Sequence, residues 1–236
     1  EYVPIKGRPD ADRMISIQSI DTDDHDPRYP AIQMQHVLNE AGGTEMLVDL
    51  LGITDPGTVL FDEVVSFGLE LLDGGNSSVQ DRMEYYIIST KESTMMVRIC
   101  DLLHKVQMEV ETQLSALRIQ GTIRVSGLLT AASRMITLLQ YMAEGHHKGM
   151  QRILRDCRAV FADPRFDMGG TAYLDSPPNG ESNTRSTKIL LEICNLIVLM
   201  IGQQGENLNR LSIPALNIVR SLLTFIIEVC QGPNYT

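Results

Sequence analysis

Two glutamates stand near the predicted ends of apolar helices, where carboxylate oxygens could bind a hard divalent cation. Glu144 precedes Gly145, and Glu228 lies shortly before Gly232. Glycine commonly follows the last turn of a helix, which places both glutamates inside a predicted last turn. The carboxyl end of a helix carries about half a negative charge, so a carboxylate there costs about 0.3–1 kcal/mol unless a cation lies nearby. Two such ends that converge would form a divalent-ion site, whereas two that stay apart would be ordinary solvated carboxylates.

The other motifs do not assemble a catalytic or metal site. Residues 21–26 resemble the start of an EF-hand loop, but Asp26 occupies the position of the required glycine and Ile32 that of the bidentate glutamate. The four cysteines are far apart without a C-x-x-C pair, which indicates buried, reduced thiols rather than a zinc or redox motif. The sequence places no nucleophile beside His146 and His147. Phosphate loops and protease motifs do not occur either, so we expect no enzymatic activity and no catalytic residue.

Charge and hydropathy narrow the classes of partner. Thirty acidic and twenty basic residues give the 236-residue chain a net charge of −10. This excess disfavours nucleic acid and anionic membrane surfaces as partners. The longest apolar run, residues 189–201, is interrupted by Glu192 and Asn195 and is shorter than the about 20 residues that cross a bilayer. We therefore expect no direct membrane insertion by this segment.

Helical periodicity dominates the chain after its polar beginning. Apolar residues recur at helical spacing, and no long stretch alternates in the manner of a strand, which predicts an all-α fold. Residues 123–144 are predicted to form a long central helix, because they are apolar on more than one side. The last two helices are predicted at 189–201 and 214–230. Ser77 and Gln80 fit a capping box at the start of an earlier helix.

The pattern also predicts how the chain is organised. Residues 1–30 are acidic and broken by prolines, which indicates an extended acidic lead-in. Residues 31–236 are predicted to form a single α-helical domain, with an irregular loop near 164–187. Residues 41–51 look like part of an armadillo-type repeat, but the predicted helices end at uneven intervals. We therefore expect an irregular armadillo-like α-solenoid of stacked helix pairs.

Four sequence blocks resemble the intracellular calcium-release channels, which are the inositol trisphosphate receptors and the ryanodine receptors. The resemblance is to their cytosolic armadillo-like region, which includes the domain associated with ryanodine–inositol trisphosphate homology. Residues 71–80 are similar to that family's L-L-x-G-G-N-x-x-V-Q pattern. The other blocks are 41–51, 138–154 and 228–233, so that together they frame nearly all of the predicted domain. The cysteine in the last block makes the inositol trisphosphate receptors the slightly better fit.

This resemblance implies a function for the two glutamates. In that family, the matching glutamates supply carboxylates to the activating calcium ion, which assigns calcium as the bound ion and Glu144 and Glu228 as its ligands. It also implies that His146 and Gln231 support these ligands from beside the site. A C-terminal segment of the channel, not contained in this chain, would supply a backbone carbonyl as a further ligand. Gly145, His147 and Tyr141 depart from the family pattern without touching the two glutamates.

The resemblance also implies where the chain would act. It is similar to a regulatory and coupling segment on the cytosolic face of the endoplasmic reticulum membrane, linking ligand-binding regions to the pore of a homotetrameric channel. Its partners would be other domains of the same channel. The alternative interpretation is an α-solenoid scaffold that binds a protein partner and no metal.

Overall fold

The computed structural model describes residues 29–90, 94–116, 121–155, 188–202 and 205–231. Within these ranges the chain is helical and contains no β-strand, which confirms the all-α prediction. An isolated bridge joins Ile123 to Leu211, and short 3₁₀ turns cover Glu144–His146 and Leu208–Arg210. The α-helices are α1 (Tyr29–Glu40), α2 (Gly43–Ile53), α3 (Val59–Leu72), α4 (Ser77–Thr90), α5 (Thr94–Ala116), α6 (Gly127–Ala143), α7 (Lys148–Arg155), α8 (Ile189–Ile201) and α9 (Ile213–Cys230).

Hydroxyl side chains set the beginnings of three helices. Thr58 accepts a hydrogen bond from the amide of Phe61 at the start of α3. Ser126 accepts one from Leu129 at the start of α6, and Ser212 accepts one from the third residue of α9. Each cap satisfies a main-chain amide that has no partner inside its helix, an arrangement that stabilises a helix by about 1 kcal/mol.

Helix α6 is the centre of the molecule. It packs against α3, α5, α7 and α9, while α5 also packs against α2 and α8. Burial on several sides explains why the α6 sequence carries no continuous polar stripe. The residues of α6 in the core are Leu129, Ala131, Ala132, Met135, Ile136, Leu138, Leu139, Met142 and Ala143.

The predicted helix boundaries are correct at the end of the chain and wrong at the start of α6. Helix α8 has the predicted bounds, and α9 begins one residue earlier than predicted. The predicted start of the central helix at Ile123 is wrong, because α6 begins at Gly127 behind its Ser126 cap. Ile123 instead donates its amide to the carbonyl of Arg210 at 2.7 Å. It is fully buried there, which explains its apolar character without a helix.

The predicted organisation of the chain is only partly covered by the described residues. Residues 1–28 of the predicted lead-in and the predicted loop near 164–187 lie outside them. Tyr29 and Pro30 already belong to α1, so the helical part begins slightly before the predicted boundary. Consecutive helices do pack against one another, as α1 with α2 and α2 with α3. The solenoid form itself stays a prediction.

The cysteines do not share one environment. Cys100 is buried. Its burial and, to a smaller extent, the charge of Glu192 raise the pKa of its thiol to about 12. Cys194 is half-buried, whereas Cys230 at the end of α9 is exposed. The prediction of buried thiols is therefore wrong for Cys230, and Cys157 lies outside the described residues.

Helix α9 is long and apolar enough to cross a membrane, judged by length and composition alone. Six of its residues, including Leu222 and Phe225, are nevertheless buried in the protein core. A core helix of a globular domain meets the same two criteria, so a single helix of this kind is weak evidence. The expected lack of membrane insertion stays a prediction.

Candidate metal centre

The end of α6 places Glu144 just outside the helix. Helix α6 ends at Ala143, and Glu144 is its C-cap residue with φ −57° and ψ 150°. The sequence prediction put Glu144 inside the last turn, which is wrong by one residue. Gly145 and His146 follow with φ values of 70° and 61°, so the chain turns through two successive left-handed residues. Glycine adopts this conformation without a steric cost, whereas histidine adopts it only at a steric cost.

A buried glutamine of α4 contacts this helix end. Gln80 is 1% exposed, and its Nε2 donates hydrogen bonds to the carbonyls of Tyr141 at 3.0 Å and Glu144 at 2.9 Å. The predicted capping box is therefore wrong, because the Gln80 side chain does not turn back onto its own helix. Asn76 caps α4 instead, with its Oδ1 accepting from the amide of Val79 at 3.3 Å.

A second buried glutamine makes the equivalent contact at the end of α9. Glu228 lies in the last turn of that helix, as predicted from the sequence. Gln151 of α7 is 4% exposed, and its Nε2 donates to the carbonyls of Glu228 at 2.8 Å and Gln231 at 2.9 Å. Arg155 of α7 donates from Nε to the carbonyl of Val229 at 3.0 Å. This guanidinium supplies the positive charge that a helix carboxyl end favours.

The two glutamates, which we call the glutamate pair, lie in one electrostatic environment. Helix α9 packs against the turn Glu144–His146. Burial raises the pKa of Glu144, and the charge of Glu228 and then that of Asp73 raise it further. The Gly74–Gly75 turn lies beside the pair, since a Cβ on Gly75 would come within 3.4 Å of the Glu144 Cγ. Burial and the charges of Glu228 and Asp73 therefore all disfavour a negative charge on Glu144.

One oxygen of Glu144 lacks a hydrogen-bond partner. Within the described ranges, Oε2 of Glu144 and Oε2 of Glu45 are the buried side-chain atoms in this condition. Glu45 keeps a strong partner at its other oxygen, where Arg82 Nε lies 2.7 Å from Oε1. A buried unpartnered acceptor costs about 1–3 kcal/mol. A cation that prefers oxygen ligands would supply both a partner and a positive charge at this atom.

The two predicted supporting residues lie near the pair but are exposed. His146 occupies the left-handed turn, and its side chain is solvent-accessible. Gln231 is also exposed, and its main-chain carbonyl accepts a hydrogen bond from the Gln151 side chain.

A second acidic group lies beside α7, and we call it the capping cluster: Asp81, Glu84 and His147. Their potential ligand atoms all lie within 4.8 Å of one another, and no other such group of three occurs in the described part of the chain. His147 Nε2 lies 2.9 Å from Asp81 Oδ1. The amide of Met150 donates to His147 Nδ1 at 3.1 Å, which makes His147 the N-cap of α7.

These contacts assign the tautomer of His147 and argue against a metal ion there. Since Nδ1 accepts a hydrogen bond, the ring proton lies on Nε2, where it is donated to Asp81. A metal at Nε2 would need the proton on Nδ1, which would break the cap of α7. Burial raises the pKa of Glu84 and the charge of Asp81 adds to this, while the interactions with His147 and Arg152 lower it. Both ring nitrogens of His147 therefore have hydrogen-bond partners without a metal ion.

Sequence reasoning missed Gln80 as a contact of α6, Gln151 as a contact of α9, and His147 as a helix cap. The two glutamines reach partners 64 and 77 residues away, so no local pattern reports them. The available signals are that each glutamine directly follows an apolar residue, at Val79-Gln80 and Met150-Gln151, and that Gln80 ends the pattern quoted for residues 71–80.

No protein-family model and no curated protein matches this chain. The resemblance to calcium-release channels therefore stays a prediction from the four sequence blocks.

Proposed function

We propose that this chain binds a calcium ion between Glu144 and Glu228 and serves as a cytosolic regulatory and coupling segment of an intracellular calcium-release channel. The observation that carries the proposal is the unpartnered Glu144 oxygen, in a site where the neighbouring charges of Glu228 and Asp73 are negative. A cation would relieve both the repulsion and the missing contact.

Calcium is the ion that suits these ligands best. Carboxylate and carbonyl oxygens are its preferred donors, and it takes about six to eight of them in flexible geometry. The two glutamates would hold the ion, and water would complete its shell in the isolated chain. In a full channel, a C-terminal segment would add a further oxygen, as the resemblance implies.

A site shared between two parts of a channel would convert calcium binding into a change of state. An ion that binds one arrangement of the two parts more tightly shifts the equilibrium toward that arrangement. The proposed setting is the cytosolic face of the endoplasmic reticulum membrane, in a homotetramer whose other domains are the partners of this segment. Coupling would then run from this helical domain to the pore.

Calcium titration calorimetry on the chain tests the binding proposal. Glu144→Gln and Glu228→Gln each remove a ligand charge without changing side-chain volume, and each should weaken calcium binding by about tenfold or more, because affinity follows ligand charge. Asp81→Asn in the capping cluster is the matched control and should bind calcium as the unmodified chain does. Equal affinities in all four proteins would overturn the glutamate-pair site.

Calcium flux through full-length channels tests the regulatory part of the proposal. Channels carrying Glu144→Gln or Glu228→Gln should need more calcium for activation than unmodified channels. Unchanged calcium sensitivity would instead support the scaffold alternative, in which the helices bind a protein partner and the glutamates have no sensing function.

A further inference from the structure

We propose that Gln80 and Gln151 are the positioning residues of the glutamate pair, an inference that rests on the proposed calcium site. Each is a buried amide on a neighbouring helix, and each holds the main chain of one of the two glutamates. The side chains that bind the ion would thus be placed by two residues that never touch it.

The contact of Gln80 restrains the residue from which the Glu144 side chain extends. Its amide group carries two N–H donors, and these serve the carbonyls of Tyr141, Met142 and Glu144 at 3.0, 3.3 and 2.9 Å. The last carbonyls of a helix have no partner inside it. Glu144 lies beyond the helix, where its amide donates to the carbonyl of Tyr141 and its own carbonyl is held by Gln80.

The contact of Gln151 acts in the same way on Glu228. Its Nε2 bridges two carbonyls, one from Glu228 itself and one from Gln231 just after the helix. Arg155, one turn further along α7, holds Val229 between them. Three carbonyls at the end of α9, those of Glu228, Val229 and Gln231, are therefore held from α7.

The Gln80 and Gln151 contacts come from helices that pack together. Gln80 is on α4 and Gln151 is on α7, and these helices pack against each other. Helix α7 also packs against α6 and α9, which end in the glutamate pair. The distance between the two glutamates is consequently set through α4 and α7 as well as by the direct packing of α9 against the turn after α6.

The competing explanation is that such glutamines serve the fold alone. Gln35 of α1 makes a similar contact at the end of α3, donating to the carbonyls of Glu70 at 2.8 Å and Asp73 at 3.1 Å. The test therefore needs a glutamine that holds a glutamate away from the site. Gln107 of α5 meets this need, because its Nε2 donates to both the carbonyl and Oε2 of Glu192 at 3.0 Å.

The experiment compares Gln80→Met, Gln151→Met and the control Gln107→Met in the full chain. Methionine matches glutamine in length but donates no hydrogen bond. Calcium affinity is measured by calorimetry at a temperature where circular dichroism shows each variant folded. Gln80→Met and Gln151→Met should raise the calcium Kd by about tenfold or more, the effect typical of residues that orient metal ligands. Gln107→Met should leave the Kd unchanged at a comparable loss of thermal stability.

Equal Kd values for all three variants and the unmodified chain would overturn the positioning role while leaving the proposed calcium site intact. Failure of the unmodified chain to bind calcium would overturn the proposed function, and the positioning role with it. The two failures are therefore distinguishable.

A second measurement covers the case in which a variant does not fold. In the unmodified chain, the side-chain amide signals of Gln80 and Gln151 are followed by NMR during calcium titration. Both should shift with the calcium Kd found by calorimetry, and their hydrogen exchange should slow as the helix ends become fixed. The Gln107 signal should not move. Unchanged Gln80 and Gln151 signals at calcium saturation would contradict the inference.

Discussion

The capping cluster and the glutamate pair lie on either side of the same short connection between α6 and α7, and they differ in whether their groups are satisfied. In the capping cluster, His147 donates to Asp81 and accepts from Met150. In the glutamate pair, Glu144 Oε2 has no partner among the described residues, and Glu228 repels its charge. The cluster with more potential ligand atoms is thus the poorer candidate for a metal ion.

This difference shows that the proximity of ligand atoms is a weak criterion for a metal site. Acidic and imidazole groups frequently gather because they bond to one another or cap a helix. An unpartnered buried oxygen is more informative, since a folded protein rarely tolerates one without a compensating ligand or water. The comparison predicts that removing the His147 imidazole from the capping cluster and the Glu144 charge from the glutamate pair has opposite effects on stability.

The largest expected effect is the loss of the capping cluster. His147→Ala removes the cap of α7 and the bond to Asp81, so the free energy of unfolding should fall by about 2 kcal/mol. Urea denaturation measures the change. His147→Ser keeps a capping oxygen and should recover about half of the loss. A variant as stable as the unmodified chain would show that this cluster is not structural and would remove the contrast.

The second largest expected effect is a gain in stability at the glutamate pair. In the presence of a chelator, Glu144→Gln should raise the free energy of unfolding by about 1 kcal/mol, because a neutral amide replaces a partly buried, unpartnered carboxylate. The same variant should lose the stabilisation that calcium gives to the unmodified chain. Glu63→Gln on the exposed side of α3 serves as the control and should change stability little. Destabilisation by Glu144→Gln would mean that this carboxylate is satisfied.

The pH dependence of stability tests the same difference between the two regions. Glu144 has a pKa above its ordinary value of 4.5 in the folded chain, so the folded state holds this proton more tightly than the unfolded state. Without calcium, stability from this group is therefore fully present below pH 4.5 and is lost as pH rises through the raised pKa. Glu84 shifts in the same direction. Thermal melts of the unmodified chain and Glu144→Gln, compared from pH 4 upward, should converge at low pH and separate as pH rises.

The smallest effect concerns the connection between the two regions. His146 has φ 61°, a conformation that costs a non-glycine residue about 1–2 kcal/mol. His146→Gly removes that cost but adds about 0.5–1 kcal/mol of unfolded-chain entropy. We expect a net stabilisation of about 0.5 kcal/mol by denaturant titration. His146→Ala keeps the strained backbone and should show no gain. A gain in both variants would assign the effect to the side chain.

The sequence was sufficient for elements that local chemistry determines. The bounds of α8 follow from an apolar run between Lys188 and Gly202, and the start of α9 follows from the Ser212 cap and the proline behind it. The glutamate pair could be nominated because each glutamate precedes a glycine at a helix end. These signals are contained within a few neighbouring residues.

Long-range contacts account for what the sequence could not provide. Ile123 is as apolar as the core residues of α6, but its burial comes from the contact with Arg210 and Leu211. The side chain of Gln80 fits a local capping box by type, yet its partners lie on α6. No single-sequence pattern distinguishes a donor that serves its own helix from one that serves another. The bounds of α8 and the start of α9 were predictable to within one residue, whereas the glutamines that hold the ends of α6 and α9 were not.

The turn Glu144–His146 is also a mechanical element. With His147 it makes a connection of only four residues between α6 and α7, so the end of α6 and the first residue of α7 cannot move far independently. A displacement of α7 would therefore also displace Glu144. Lengthening this turn with inserted glycines would uncouple the two helices, and a natural variant with a longer turn would be expected to transmit force poorly.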